Sequence, residues 1–307
     1  MGEEFVKQHI VPQAYLNRFA FEDENKREKV IGVRLSSQNN KKVNFFTNSV
    51  KSVGYINNYY DTLQKEDKKH WEHYFDENFD TLCGKPLDNI ISTITLSTLN
   101  VQVINTEAKS ILSRIILSQS FRVPAYLDNQ MEKSISMIDS YKTEAIKQNP
   151  NLPIDKQELI KQITFDDDMR KDIILSSVLN KEHFHKYCNK LEQKTWIVYF
   201  NNIRNKLPYV TSDNPVLFCN HKGIPTKIDN IGLASDELVI FYPLTPSILI
   251  GIYSPDAYLG LLKQYDGNRF NINEEKFIIN INLKIMSQSY KHSFLPKPLF
   301  QMVKDIK

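Results

Sequence analysis

Apolar and polar positions alternate differently in three stretches of the chain, and each stretch predicts a different kind of element. The opening segment Lys7-Gln8-His9-Ile10-Val11-Pro12 ends on a proline suited to the first turn of a helix. That helix is expected to carry Tyr15, Leu16 and Phe19 on one face and to end near Phe21. Val30, Ile31, Val33 and Leu35, then Val43, Phe45 and Phe46, flank the polar run Ser36 to Lys42, a pattern that predicts a hairpin. In the middle third, Trp71, Phe75, Phe79, Leu82, Leu87, Ile90 and Ile91 recur at three- and four-residue steps, as do Ile111, Ile115, Leu117 and Phe121, which predicts helices. The break Asn149-Pro150-Asn151-Leu152-Pro153 precedes two further expected helices, Asp155 to Ile163 and Asp166 to Cys188.

The last third shortens its period. Lys194 to Phe200, Tyr209 to Thr211, Val216 to Cys219, Leu238 to Tyr242 and Ile248 to Tyr253 are β-branched or aromatic runs punctuated by turn formers, followed by an expected helix over Glu274 to Tyr290. The order predicts an α+β fold with a helical central region, a short N-terminal hairpin and a C-terminal antiparallel or mixed sheet. A single domain over residues 1–307 is expected, with lobes at 1–148 and 154–307.

Composition narrows the class. With 307 residues, 41% hydrophobic, the chain has enough apolar material for a core without disulfides or metals. Its formal net charge of +3 is too small to act as a nucleic-acid footprint, so any basic surface must be local. Cys83, Cys188 and Cys219 are far apart and form no Cys-x-x-Cys pair, which argues against a disulfide framework or a structural zinc. The acidic start Met-Gly-Glu-Glu-Phe lacks a secretory core, and Val6 replaces the Ser or Thr of a myristoylation signal. Polar residues interrupt every apolar run short of membrane-spanning length, so a cytoplasmic protein without membrane attachment is expected.

Two motifs carry a likeness. His9-Ile10-Val11-Pro12-Gln13-x-Tyr15-Leu16-x-Arg18-Phe19 at the start and Thr211-Ser212-Asp213-Asn214-Pro215-Val216 with Tyr242-Pro243-Leu244-Thr245-Pro246 later resemble bacterial proteins carrying the domain of unknown function 4238. Ser120-Phe121-Arg122-Val123-Pro124 is similar to the family's Arg-x-Pro helix end, and Asn282 to its C-terminal segment. The likeness implies no established reaction. By analogy alone it implies a role among microbial defence or toxin-like proteins, several of which are nucleases.

The polar members of these motifs are the candidate chemistry. His9 precedes a helix start, a place that favours an anion such as phosphate, and an imidazole there suits proton transfer or metal binding; the structural alternative is capping or packing. Asp213 lies at a strand end, where it is either an Asx-type turn or a rigid carboxylate that orients His9 or holds a divalent cation such as Mg²⁺. Arg122 and Arg18 suit a bidentate clamp on phosphate, against internal salt bridges. Tyr15, Ser212 and Asn214 complete the expected substrate-binding set, although simple packing is the alternative for Tyr15 and no Gly-x-Ser-x-Gly supports Ser212 as a nucleophile. No phosphate-cradling glycine loop or His-Glu-x-x-His is present. His183 and His185 diverge on a helix, and His70 with His73 is expected to form a solvated stripe. Glu192-Gln193-Lys194 with Asp166, Asp167 and Asp168 only loosely echoes metal nucleases.

The expected function is a hydrolase, foremost a nuclease acting on RNA or DNA in anti-phage defence, with Arg122 holding phosphate, His9 moving a proton and Asp213 orienting it or binding Mg²⁺. The alternative is a non-catalytic sensor for a nucleotide or a phage component, working with a partner protein of a defence system. A third reading makes the motifs structural, stitching the first helix to the strand end at Asp213.

Overall fold

The computed structural model describes residues 6–23, 28–35, 43–98 and 101–305. The chain opens with β1 (Lys7–His9), the one-turn helix α1 (Gln13–Leu16) and β2 (Phe21–Asp23). Next come the predicted hairpin strands β3 (Glu28–Leu35) and β4 (Asn44–Ser49), then β5 (Tyr55–Asn57). The hairpin's turn lies outside the described residues. The helical middle comprises α2 (His70–Asn78), α3 (Lys85–Leu96), α4 (Thr106–Arg122), α5 (Pro124–Gln148), α6 (Ile154–Gln162), α7 (Asp167–Val178) and α8 (Lys181–Glu192). Then follow β6 (Thr195–Asn201), β7 (Thr211–Ser212), β8 (Leu217–Cys219), α9 (Ile228–Ile231), β9 (Val239–Thr245), β10 (Ile248–Tyr253), β11 (Arg269–Ile272), α10 (Glu275–Ser287), β12 (His292–Leu295) and α11 (Lys297–Asp305). The fold is α+β, as the alternation of periods predicts.

One mixed sheet runs β11-β6-β10-β9-β8, antiparallel except that β11 lies parallel to β6. Its central strands are apolar on both faces, and Trp196, Val198, Ile240, Ile248, Ile250 and Ile252 bury there completely or nearly so. The second sheet joins the two ends of the chain. β12 pairs with β3 on one side and with β7 on the other, so the N-terminal hairpin is continued by strands from the last third. β3 accepts α11 against it because Gly32 has no side chain: a Cβ there would lie 2.6 Å from Phe300 Cδ2. β1 and β5 form a separate two-stranded ribbon, with His9 opposite Tyr55.

Helix α4 is the hub. It buries Leu112, Ile115, Ile116 and Leu117 together with the polar Ser118, Gln119, Ser120 and Arg122. Three of those polar side chains bond within the protein: Ser118 and Ser120 hydroxyls donate back to the Ile115 and Ile116 carbonyls, and Gln119 Nε2 donates to Ile10 O at 2.8 Å.

Three expectations need correction. The first helix stops at Leu16 rather than near Phe21, because Arg18 Nη1 donates to Ala14 O and Phe21 enters β2. Asp166 to Cys188 is two helices: Asn180 accepts from Glu182 and His183 amides and starts α8 afresh. His70 is half-buried edge-on to Trp71 at 4.8 Å, whereas His73 is exposed and pairs with Asp67 at 2.8 Å. All three cysteines are free and buried. Among the described residues no helix is long and apolar enough to cross a membrane.

Candidate functional site

The motif residues converge, and most of them converge inward. Tyr15 is fully buried; its hydroxyl donates to Pro243 O at 2.7 Å and shares a second hydrogen bond with Thr211 Oγ1 at 2.7 Å. Its ring stacks on Tyr242 with centroids 5.3 Å apart, so one side chain ties α1 to β7 and β9. Arg18 pairs with Asp88 at 2.7 Å and donates to Cys83 O at 2.7 Å, fastening the α1 turn to the start of α3. Ser212 and Asn214 close a tight turn, with Ser212 Oγ donating to Asn214 O at 2.8 Å and accepting from Asn214 N at 3.1 Å. Asn214 O in turn accepts from Gln288 Nε2 at 2.8 Å. Tyr15 and Ser212, both at 0% exposure, are therefore structural residues rather than substrate contacts.

Arg122 is also spoken for. At 1% exposure it pairs with Asp80 through Nη1 at 2.5 Å, donates to His9 O through Nη2, and lies 4.5 Å from the centre of the Phe75 ring. Tyr60 Oη donates to the Arg122 carbonyl at 2.6 Å. This buried fork holds the β1 backbone in place and presents no N–H group to solvent for a phosphate.

Asp213 reaches the surface region without facing it. Oδ1 accepts from Tyr290 N, and Oδ2 from Lys291 N and His292 N, each at 2.7 Å, while Asp213 N donates to His292 O at 3.0 Å. Burial pushes its carboxyl up to about 6, with the amide bonds pulling the other way. With both oxygens engaged by backbone, Asp213 neither orients His9 nor joins it as a Mg²⁺ ligand. Among the described residues no group of three or more His, Cys, Asp or Glu side chains is placed to hold a metal ion.

The segment that Asp213 clamps forms one wall of an open hollow of about 280 Å³. The opposite wall is Ser52 to Asn57, and Ile10 of the opening motif closes it beside Asp213. The beginning of the chain thus does fold back beside the tip of a late strand. Lys291 Nζ stands 5.3 Å from the centre of the Tyr290 ring, and Lys7 Nζ stands 4.7 Å from that of Tyr55. His292 Nδ1 lies 3.9 Å from Asp213 Oδ2, and burial together with Lys291 lowers the pKa of its imidazole.

A family model described as Protein of unknown function (DUF4238) matches residues 7–294. The chain belongs to that family. The DUF4238 match runs from the first residue of β1 into β12, and so takes in both walls of the hollow. No curated protein and no solved structure matches this DUF4238 chain.

His9 occupies a second, tighter environment at the edge of this DUF4238 core. Its carbonyl accepts from Arg122, which holds the β1 backbone against α4. Burial, then Arg122 and Lys7, lower the imidazole pKa to about 4, which keeps the ring neutral. His9 Nε2 and Glu72 Oε2 are both buried without a hydrogen-bond partner in the protein. Sequence reasoning passed over Glu72, Tyr55, Tyr290, Lys291 and His292. Glu72 sits amid charged neighbours, and the wall formed by 290–292 is recognised through backbone amides that no residue type announces.

Proposed function

We propose that the hollow between 52–57 and 290–292 is a recognition site for a nucleotide-like ligand, and that the protein serves as a non-catalytic sensor rather than as a nuclease. The observation that supports this is what the hollow has left to offer. Its one carboxylate is spent on three backbone amides, so a ligand meets Lys291 and the Tyr290 and Tyr55 rings, with Lys7 beside them. Cations next to aromatic faces suit a phosphate joined to a base. The hydrolytic expectation required Arg122, His9 and Asp213 to face common solvent, yet Arg122 and Asp213 are 1% and 2% exposed. The setting in microbial defence, with RNA, DNA or a phage component as the source of the ligand and a partner protein downstream, rests on the family likeness alone.

Thermal unfolding and product analysis with nucleoside monophosphates and single-stranded RNA or DNA, with and without Mg²⁺, test this reading. A ligand at a hundred times its Kd stabilises by about 2.7 kcal/mol, which raises Tm by about 5 °C. The expected result is such a rise without product, lost in Lys291→Glu. No rise with any of them, or cleavage that His9→Ala abolishes, would overturn it.

A further inference from the structure

We propose that two copies of the chain associate through the exposed face of α5, antiparallel and about a two-fold axis beside Ser140, whatever the hollow binds. The arm formed by α5 and α6 buries almost nothing within its own chain. α5 runs for 25 residues, yet only Pro124 and Leu127 in its first turn are buried, and α6 buries no residue at all. Helices draw most of their stability from a face packed against a neighbour, so about 30 Å of α5 is left to find that face elsewhere. The arm carries the side chains for it: Met137, Tyr141, Ile154 and Leu159 are 53%, 69%, 79% and 69% exposed. Large apolar side chains concentrated on one exposed element mark an interaction surface.

The order of residues along α5 says what covers it. Lys133, Met137, Tyr141 and Glu144 follow at steps of four, four and three, so they form one stripe along the helix, with the small Ser140 beside its middle. The stripe reads cation, apolar, apolar, anion, and reversed it complements itself. A second α5 laid antiparallel, centred at position 139, sets Met137 against the second copy's Tyr141 and Tyr141 against the second copy's Met137. The same register brings Lys133 beside the second copy's Glu144 at both ends, the exchange that a two-fold interface requires. Both charges are within reach: Lys133 bonds Asp229 at 3.2 Å while staying 44% exposed, and Glu144 is 53% exposed. Ser140 turns its hydroxyl back onto Ser136 O and leaves room at the crossing. Between residues 131 and 163 the five acidic and five basic side chains cancel, so an anionic membrane or a nucleic acid meets no basic face here. A stable dimer engages about 20–30 residues on each side, and the arm supplies a surface of that length.

Analytical ultracentrifugation of the full chain, from about 1 to about 100 μM, reads its mass against the 35.9 kDa of one copy. The expected result is a dimer at the upper end, with the dissociation constant raised at least about tenfold in Tyr141→Glu and the far-UV circular dichroism unchanged. Cysteine scanning then reads the register. Ser140→Cys, beside the axis, is expected to cross-link two copies under a mild oxidant, whereas Asp139→Cys, on the far side of the helix from Met137 and Tyr141, is expected not to. The native cysteines are buried and do not compete. A chain that stays monomeric throughout, its arm left to another protein, overturns the assignment. So does a dimer that Tyr141→Glu leaves unchanged, or one that cross-links through position 139 in preference to 140.

Discussion

Replacing Asp213 by Asn changes a single atom in the joint that shapes the hollow. The carboxylate accepts three amide bonds of 2.7 Å, one on Oδ1 and two on Oδ2. Asparagine offers one oxygen. Turned to keep the Lys291 and His292 amides, it sets its NH₂ against Tyr290 N–H, and one buried donor is then left without an acceptor. Losing a charge-assisted bond costs about 1.5–3 kcal/mol, and an unpaired buried N–H about 1–3 kcal/mol; because these overlap, the net expectation is about 2–4 kcal/mol. For a chain of this size that corresponds to a Tm about 4–8 °C lower. Thermal unfolding at pH 8, where a carboxyl pushed up to about 6 is ionised, reads the effect directly. Asp88→Asn is the control: its carboxylate is 64% exposed in the pair with Arg18, and its loss is expected to cost under about 1 kcal/mol. If Asp213→Asn melts within about 1 °C of the parent, the clamp is not the joint described.

Arg122→Met leaves the half-buried Asp80 and the His9 carbonyl without their partner, and urea denaturation is expected to show a loss of about 2–4 kcal/mol, only partly recovered by Lys, which lacks the fork. Tyr15→Phe removes the hydroxyl that joins Thr211 and Pro243, with an expected loss of about 1–3 kcal/mol and no change in ligand affinity, both read from melting curves with and without nucleotide. His9 supplies a pH signature. Its folded-state value of about 4 lies below the ordinary 6.5, so its contribution is present above pH 6.5 and is lost as the pH falls from there towards 4. After allowance for solvent screening this amounts to about 1–2 kcal/mol between pH 7.5 and 4.5, and a His9→Gln variant is expected to show a correspondingly shallower stability profile.

The fold was legible where one pattern dominated a long segment. The apolar steps of α4 and the run Trp196 to Phe200 in β6 fix helix and strand without outside help. Short pieces were not legible. β1 and β5 span three residues each, and their pairing of Gln8 with Ile56 is non-local, so nothing in either segment alone announces a strand. β12 was not anticipated, since the expected helix ended at Tyr290 and no strand was placed after it, although its pairing with β3 and β7 is what brings the two motif regions together.

At the candidate site a turn over Thr211 to Pro215 was readable, but the Ser212 hydroxyl closes it instead of an Asx side chain, and the partners of Asp213 were not readable, because they are main-chain amides of 290–292. Arg122 illustrates the opposite difficulty. An arginine at a helix end beside proline reads equally well as a phosphate clamp or an internal cation. Only the positions of Asp80, Phe75 and the His9 carbonyl decide for the second.

The measurement that bears most directly on the recognition site is amide hydrogen exchange, followed by mass spectrometry, with and without a saturating nucleoside monophosphate. Slower exchange concentrated in 52–57 and 290–292, and absent from Lys291→Glu, is the predicted result. Unchanged exchange in both segments, or protection centred instead on the groove between Lys85 and Ile111, would contradict the assignment of the hollow as the binding site.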